Sequence, residues 1–117
     1  MDKRLWLAIA GLSLGVLGGG GWAKAAAPPA ARVQINDVDP NAQQWHFEPR
    51  DVSIRPGTTV IWHNAGKQSH TVTADDKSFD SGDVAPGQDW QRTFSGAGDF
   101  VYHCTPHPWM KATVHVH

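Results

Sequence analysis

The amino-acid sequence predicts an all-β domain, a β-sandwich or small barrel of seven or eight short strands. Three observations predict it. Apolar and polar residues alternate with a period of two beyond residue 32. Turn-forming clusters interrupt that alternation at short intervals. No window after residue 27 carries a sustained helical apolar face.

The first stretch stands apart from the fold. Met1-Asp2-Lys3-Arg4 is a short basic-ended segment, Leu5 to Trp22 is apolar and glycine-rich, and Ala23-Lys24-Ala25-Ala26-Ala27 offers small residues in an A-x-A order. That succession is expected to be a cleaved secretory signal peptide over residues 1–27. The rival reading is a retained membrane anchor. The apolar run is near the lower length limit for a membrane span. The four glycines Gly18 to Gly21 weaken it as a helix, each by roughly 1 kcal/mol against alanine. Residues 28–31 are expected to be a flexible linker, and residues 32–117 the folded domain.

The strands follow in order. Val33, Ile35 and Asp37 share one side, opposite Gln34 and Asn36. Trp45 and Phe47 alternate with His46 and Glu48, and Val52 and Ile54 with Ser53 and Arg55. Thr58 to Trp62 is rich in β-branched and aromatic residues. His70 to Thr73 reads as a short strand, and Trp90 to Phe94 alternates again. Phe100 to Cys104 and Thr113 to His117 close the series. Asp39-Pro40-Asn41, Arg55-Pro56-Gly57, Asn64-Ala65-Gly66, Ser81-Gly82-Asp83, Ala85-Pro86-Gly87 and Ser95-Gly96-Ala97-Gly98 supply the turns. Residues 75–89 are expected to form a long crossover between sheets.

Composition limits the function. The 117 residues suffice for one domain, and six tryptophans are many for so short a chain. Charge is nearly balanced at −1, and without residues 1–27 seven basic and ten acidic residues leave −3. No polybasic stretch points to nucleic acid. Cys104 is the only cysteine. An exported chain with one cysteine needs a reason for its thiol: an intermolecular disulfide, a buried inert group, a nucleophile or a metal ligand.

The neighbours of Cys104 favour a metal. In Cys104-Thr105-Pro106-His107-Pro108-Trp109-Met110 a thiol is followed at intervals of three by an imidazole and a thioether. Such soft and borderline donors suit copper rather than calcium, magnesium or manganese. Two histidines and a cysteine with a long axial methionine form the donor set of a blue-copper electron-transfer site. His70, at the start of an apparent strand, is the natural second histidine. Each of these residues is unremarkable alone, since cysteine and methionine often fill cores. The joint pattern carries the assignment. Pro106 and Pro108 stiffen the loop on both sides of His107. His103 alternates with Cys104 and is expected to face away. His115 and His117 share one face of the last strand and are expected to be solvated, and His46 and His63 carry no pattern.

Phe47-x-Pro49, Val52-x-Ile54, Gly57, Val60-x-Trp62-x-Asn64, His70-x-Val72, Phe79-Asp80-Ser81-Gly82, Pro86-Gly87, Phe94, Gly98 and Phe100-x-Tyr102-x-Cys104 together resemble the cupredoxins. The likeness is strongest to the amicyanin and pseudoazurin-like group, and the 104–110 loop matches the short amicyanin type. The resemblance implies a Greek-key sandwich of about eight strands with one type 1 copper at one end. It implies His70 and His107 binding through Nδ1, Cys104 through its thiolate and Met110 as a weak axial donor. It further implies that His107 lies near the surface in an apolar patch, where redox proteins dock transiently. An amine-oxidising dehydrogenase as donor and a c-type cytochrome as acceptor are the implied partners. The remaining expectations are a periplasmic monomer without nucleic-acid or, after cleavage, membrane contact, and no enzyme activity. Copper delivery is the alternative function. The sequence departs from the family at Thr71, where many cupredoxins carry asparagine. Its hydroxyl is expected to bond toward Thr105 instead.

Protein recovered from the exported fraction of its host should begin near residue 28. N-terminal sequencing that finds Met1 there would refute cleavage.

Overall fold

The computed structural model describes residues 29–117. The expected signal peptide and Pro28 lie outside the described residues. Among the described residues there are eight strands: β1 (Ala30–Asn36), β2 (His46–Glu48), β3 (Asp51–Ile54), β4 (Thr58–Asn64), β5 (Thr73–Ala74), β6 (Asp89–Phe94), β7 (Gly98–Cys104) and β8 (His107–Val116). A single 3₁₀ turn spans Ala42–Gln44, capped by the Asn41 side chain. No helix among these residues is long and apolar enough to cross a membrane.

The strands form two four-stranded sheets, in the orders β2-β1-β4-β6 and β3-β8-β7-β5. Each sheet contains one parallel pair, β1 with β4 and β3 with β8, among antiparallel neighbours. The alternation read from the sequence explains which side of each strand faces inward. Val33 and Ile35 of β1, Val60 and Trp62 of β4, Tyr102 and Cys104 of β7, and Val114 and Val116 of β8 are buried. Aromatic rings join the two sheets across the core. Tyr102 of β7 meets Phe47 of β2 edge-on at 4.8 Å and Trp62 of β4 at 5.5 Å. Phe94 of β6 meets Phe100 of β7 at 5.3 Å. Such pairs add roughly 0.5–1.5 kcal/mol beyond the area they bury.

Three features differ from the sequence reading. β1 takes in Ala30 and Ala31, which were expected in the linker, because they pair in register with Thr59 and Val60 of β4. His70 to Thr73 is not a continuous strand: His70 makes an isolated bridge to Val84, and β5 holds only Thr73 and Ala74. β8 begins at His107 rather than Thr113, so that of the expected ligand loop only Thr105 and Pro106 lie outside the strands. Here the hairpin ladder, with Cys104 opposite His107, overrides the proline-rich local sequence. The 75–89 segment is a crossover as expected. It is stitched by the Thr73–Asp80 and His70–Val84 bridges and passes through a left-handed backbone at Lys77.

At the far end of the second sheet, His115 ties three strands together. Its Nδ1 lies 2.8 Å from Asp99 of β7 and its Nε2 3.0 Å from Asp51 of β3. The bonds to Asp51 and then Asp99 raise its pKa above the ordinary 6.5. A histidine with a raised folded-state pKa contributes stability that is fully present below the unfolded value and is lost as pH rises through the folded one. The stability difference between the wild-type chain and His115→Ala should therefore be larger near pH 5.5 than near pH 8.5. Urea titrations at the two pH values test this, and an equal difference at both would refute it.

Candidate metal centre

Three of the four sequence-predicted ligands converge at one end of the sandwich. His70 Nδ1 lies 3.2 Å from His107 Nδ1, and Cys104 Sγ lies 3.5 Å from the first and 3.4 Å from the second. The three atoms outline a nearly equilateral triangle whose centre is about 2 Å from each corner, the length of a metal–imidazole bond. His70 and Cys104 are fully buried and His107 is half-buried. Met110, the fourth, is buried on β8 three residues beyond His107.

Local structure delivers each donor. The β7–β8 hairpin places Cys104 and His107 opposite one another, and the register shifts between His103 and Cys104. His70 arrives on the turn after β4, which buried Asn64 organises. The Asn64 side chain donates to the Gln68 and Val84 carbonyls and accepts from the Gly66 amide. Thr71 joins the two segments. Its amide donates to Cys104 Sγ at 3.3 Å, and its hydroxyl accepts from the Thr105 amide at 2.8 Å. The expected Thr71–Thr105 bond is thus formed. Thr73 extends it, with its hydroxyl 2.8 Å from that of Thr71 and 3.1 Å from that of Thr105.

Two neighbours escaped the sequence reading. The first is Asp37, whose side chain is fully enclosed and lies 2.7 Å from His70 Nε2. Its carboxylate also accepts from the Lys67 and Gln68 amides at 2.8 and 2.9 Å. Burial alone would raise its pKa, but the bond from His70 and then the two amides hold it below the usual carboxylate value. The alternation of β1 pointed Asp37 inward, and a buried acid is a signal because charges are rarely buried unpaired. The second is Trp45. Its ring meets His107 edge-on at 5.1 Å and His70 at 6.1 Å, and its indole N–H donates to Asp39 O. Trp109 flanks His107 at 5.5 Å and is tied to Ala42 O by its own indole N–H. Nothing in the spacing of Trp45 marked it.

The other histidines stay out of the cluster. His103 points away and bonds Asp75 at 2.6 Å, which also binds Lys111. His63 pairs with Asp89, and His46 with Gln44 O.

The donor set fits a cation. A carboxylate can only accept, so His70 donates from Nε2 and turns the lone pair of Nδ1 toward the triangle. The contacts among Nδ1, Nδ1 and Sγ then hold more lone pairs than protons, which a metal ion resolves. Burial pushes the Cys104 thiol upward in pKa, and desolvation, followed by the neighbouring His70, lowers that of His107. The pocket therefore favours neutral imidazole and penalises a thiolate without a cation beside it.

Comparison with known proteins places the chain among copper-binding proteins. Residues 34–117 match the family of copper binding proteins described as plastocyanin/azurin. Amicyanin of Paracoccus versutus is 31% identical, over 96% of this chain and 95% of its own. Among solved structures, a purple cupredoxin from Nitrosopumilus maritimus superposes with a TM-score of 0.68 at 26% identity, covering 74% of this chain and 99% of its own. A copper-containing nitrite reductase from Thermus scotoductus superposes with a TM-score of 0.67 at 28% identity, over 81% of this chain but only 24% of the reductase.

Thr71→Val keeps the shape and removes the acceptor for the Thr105 amide. It should cost the copper-free protein about 1–2 kcal/mol in urea unfolding. It should also preserve metal binding, because the bond from the Thr71 amide to sulfur is a backbone one. Unchanged stability would show that the hydroxyl does not clasp the loop.

Proposed function

The chain belongs to the copper-binding plastocyanin/azurin family, and on that premise we propose that it is an exported carrier of single electrons between larger redox proteins. The observation that carries this reading is the buried triangle formed by His70 Nδ1, His107 Nδ1 and Cys104 Sγ. These three atoms would hold the copper, with Met110 as the fourth donor residue. Copper bound there would supply a one-electron Cu(II)/Cu(I) couple.

The protein's own part is to keep the ligands still. Asp37 fixes the His70 ring, Thr71 clasps Cys104 and Thr105, and the β7–β8 ladder fixes His107. A site that barely moves between oxidation states costs little reorganisation when an electron arrives. The side chain of His107 reaches the surface among exposed Pro106, Pro108 and Trp109. A small apolar surface of that kind suits brief docking. We place the exchange of electrons there, with an amine-oxidising dehydrogenase as donor and a c-type cytochrome as acceptor, the protein acting as a periplasmic monomer. The likeness to amicyanin supports that pairing, and the n-region, apolar stretch and A-x-A site of residues 1–27 support export.

Two other readings are weaker. Copper delivery calls for donors that open to a recipient, whereas His70 and Cys104 are fully enclosed. Catalysis by a Cys104–His pair needs a thiolate nucleophile, and burial pushes this thiol the wrong way. The likeness to the nitrite reductase covers only a quarter of that enzyme.

Adding Cu(II) to the purified apoprotein should produce an intense charge-transfer band that vanishes on reduction and returns on oxidation. A colourless product would sink the proposal. Cys104→Ser should abolish the band. Met110→Gln should keep it and lower the reduction potential by about 60 mV or more, one decade in relative affinity for the two oxidation states. An unchanged potential would remove Met110 from the ligand set.

A further inference from the structure

We propose that Asp37 is a positioning residue that locks His70 as its Nε2–H tautomer and sets the reduction potential of the site through its buried negative charge. The inference rests on the copper reading above. It concerns a residue that is not itself a ligand and lies 33 positions from His70 in sequence.

The geometry argues for a built feature. The Asp37 side chain has no exposure, and its oxygens accept from His70 Nε2 and from the Lys67 and Gln68 amides. All of these partners are donors, so the group is a carboxylate with its acceptor sites engaged. Among the described residues no lysine or arginine pairs with it. Gly66 makes room for it, since a Cβ at that position would strike the carboxylate. The turn between β4 and His70 is therefore shaped around this one acid.

Charge counting gives the consequence. A buried carboxylate without a countercharge is expensive. Here it shares one enclosed region with the Cys104 thiol, which binds metal as a thiolate. Two negative charges match the two positive charges of Cu(II). Taking up one electron gives Cu(I) and leaves one negative charge unmatched in a poorly solvated place. Asp37 therefore favours the oxidised state and lowers the potential. Its bond to His70 also raises the basicity of the coordinating imidazole, which acts in the same direction.

Asp37→Asn keeps the shape and removes the charge. It should weaken Cu(II) binding at least tenfold more than Cu(I) binding, which is the low end of what such outer-shell partners contribute. For a one-electron couple that tenfold change is a rise of about 59 mV in potential. Asp99→Asn, at the His115 end of the sandwich, makes the same change in net charge and should leave the potential where it was. Should the asparagine variant not fold, Asp37→Ser, which is smaller and neutral, should show the same rise. A second readout needs no copper. In nitrogen-15 NMR of the wild-type apoprotein, His70 should carry its proton on Nε2, with exchange slowed at least tenfold relative to His103. An unchanged or lowered potential in a folded, blue Asp37 variant overturns the inference. So does a His70 without a proton on Nε2. If wild-type protein gives no blue band at all, the copper reading fails, and the NMR result alone then decides the positioning role.

Discussion

The metal centre depends on one clasp between segments more than thirty residues apart. Thr71 gives its amide to the sulfur of Cys104 and lends its hydroxyl to the amide of Thr105. Beyond that pair of bonds, the turn carrying His70 and the hairpin carrying Cys104 and His107 are joined by the Thr73–Thr105 hydroxyl contact and the short β5–β7 ladder. The clasp is short because threonine is short, so the turn and the hairpin must approach closely. The isolated His70–Val84 bridge and the Asn64 side chain hold the turn in the position this requires. The threonine network through Thr73 then connects the clasp to the edge of the second sheet.

His70 is held from behind as well as in front. On one side its Nδ1 faces the other donors, and on the other its Nε2 meets Asp37. An imidazole gripped at both nitrogens has no freedom to rotate, so the ring is pre-set before any ion arrives. His107 is treated differently. It is half-buried and held between the rings of Trp45 and Trp109 by edge contacts rather than by a hydrogen bond at its outer nitrogen. The fixed imidazole belongs to the core and the edge-packed one to the surface, a division that suits the proposed exchange of electrons at His107. The two tryptophans are themselves anchored by indole N–H bonds to Asp39 and Ala42, so the 39–45 segment becomes a wall of the site.

Much of this was legible in the chain. The period-two alternation identified the apolar sides of β1, β2 and β3, where Val33, Ile35, Phe47 and Ile54 are buried, because a strand's side chains must alternate whatever it packs against. The spacing of Cys104, His107 and Met110 within one segment declared soft-metal chemistry, because donors so close in sequence cannot be far apart in space. Strand limits were less legible. Pro106 and Pro108 read as loop, yet β8 starts at His107, because pairing opposite Cys104 outweighs local preference at a hairpin. His70 to Thr73 read as one strand, yet the neighbouring backbone offers it only bridges.

By itself the sequence determined the all-β class, the apolar sides of the first strands and three of the four donor residues, Cys104, His107 and Met110. Each of these follows from relations between residues a few positions apart, where covalent geometry limits the alternatives. His70 was already singled out by the wider family pattern, but only the tertiary structure decided that Asp37 stands behind it and that Trp45 packs against His107. Those contacts join residues separated by 33 positions or more. At that distance along the chain any acid or aromatic could in principle have been chosen, and the packing of two sheets, with the turns at their ends, made the choice.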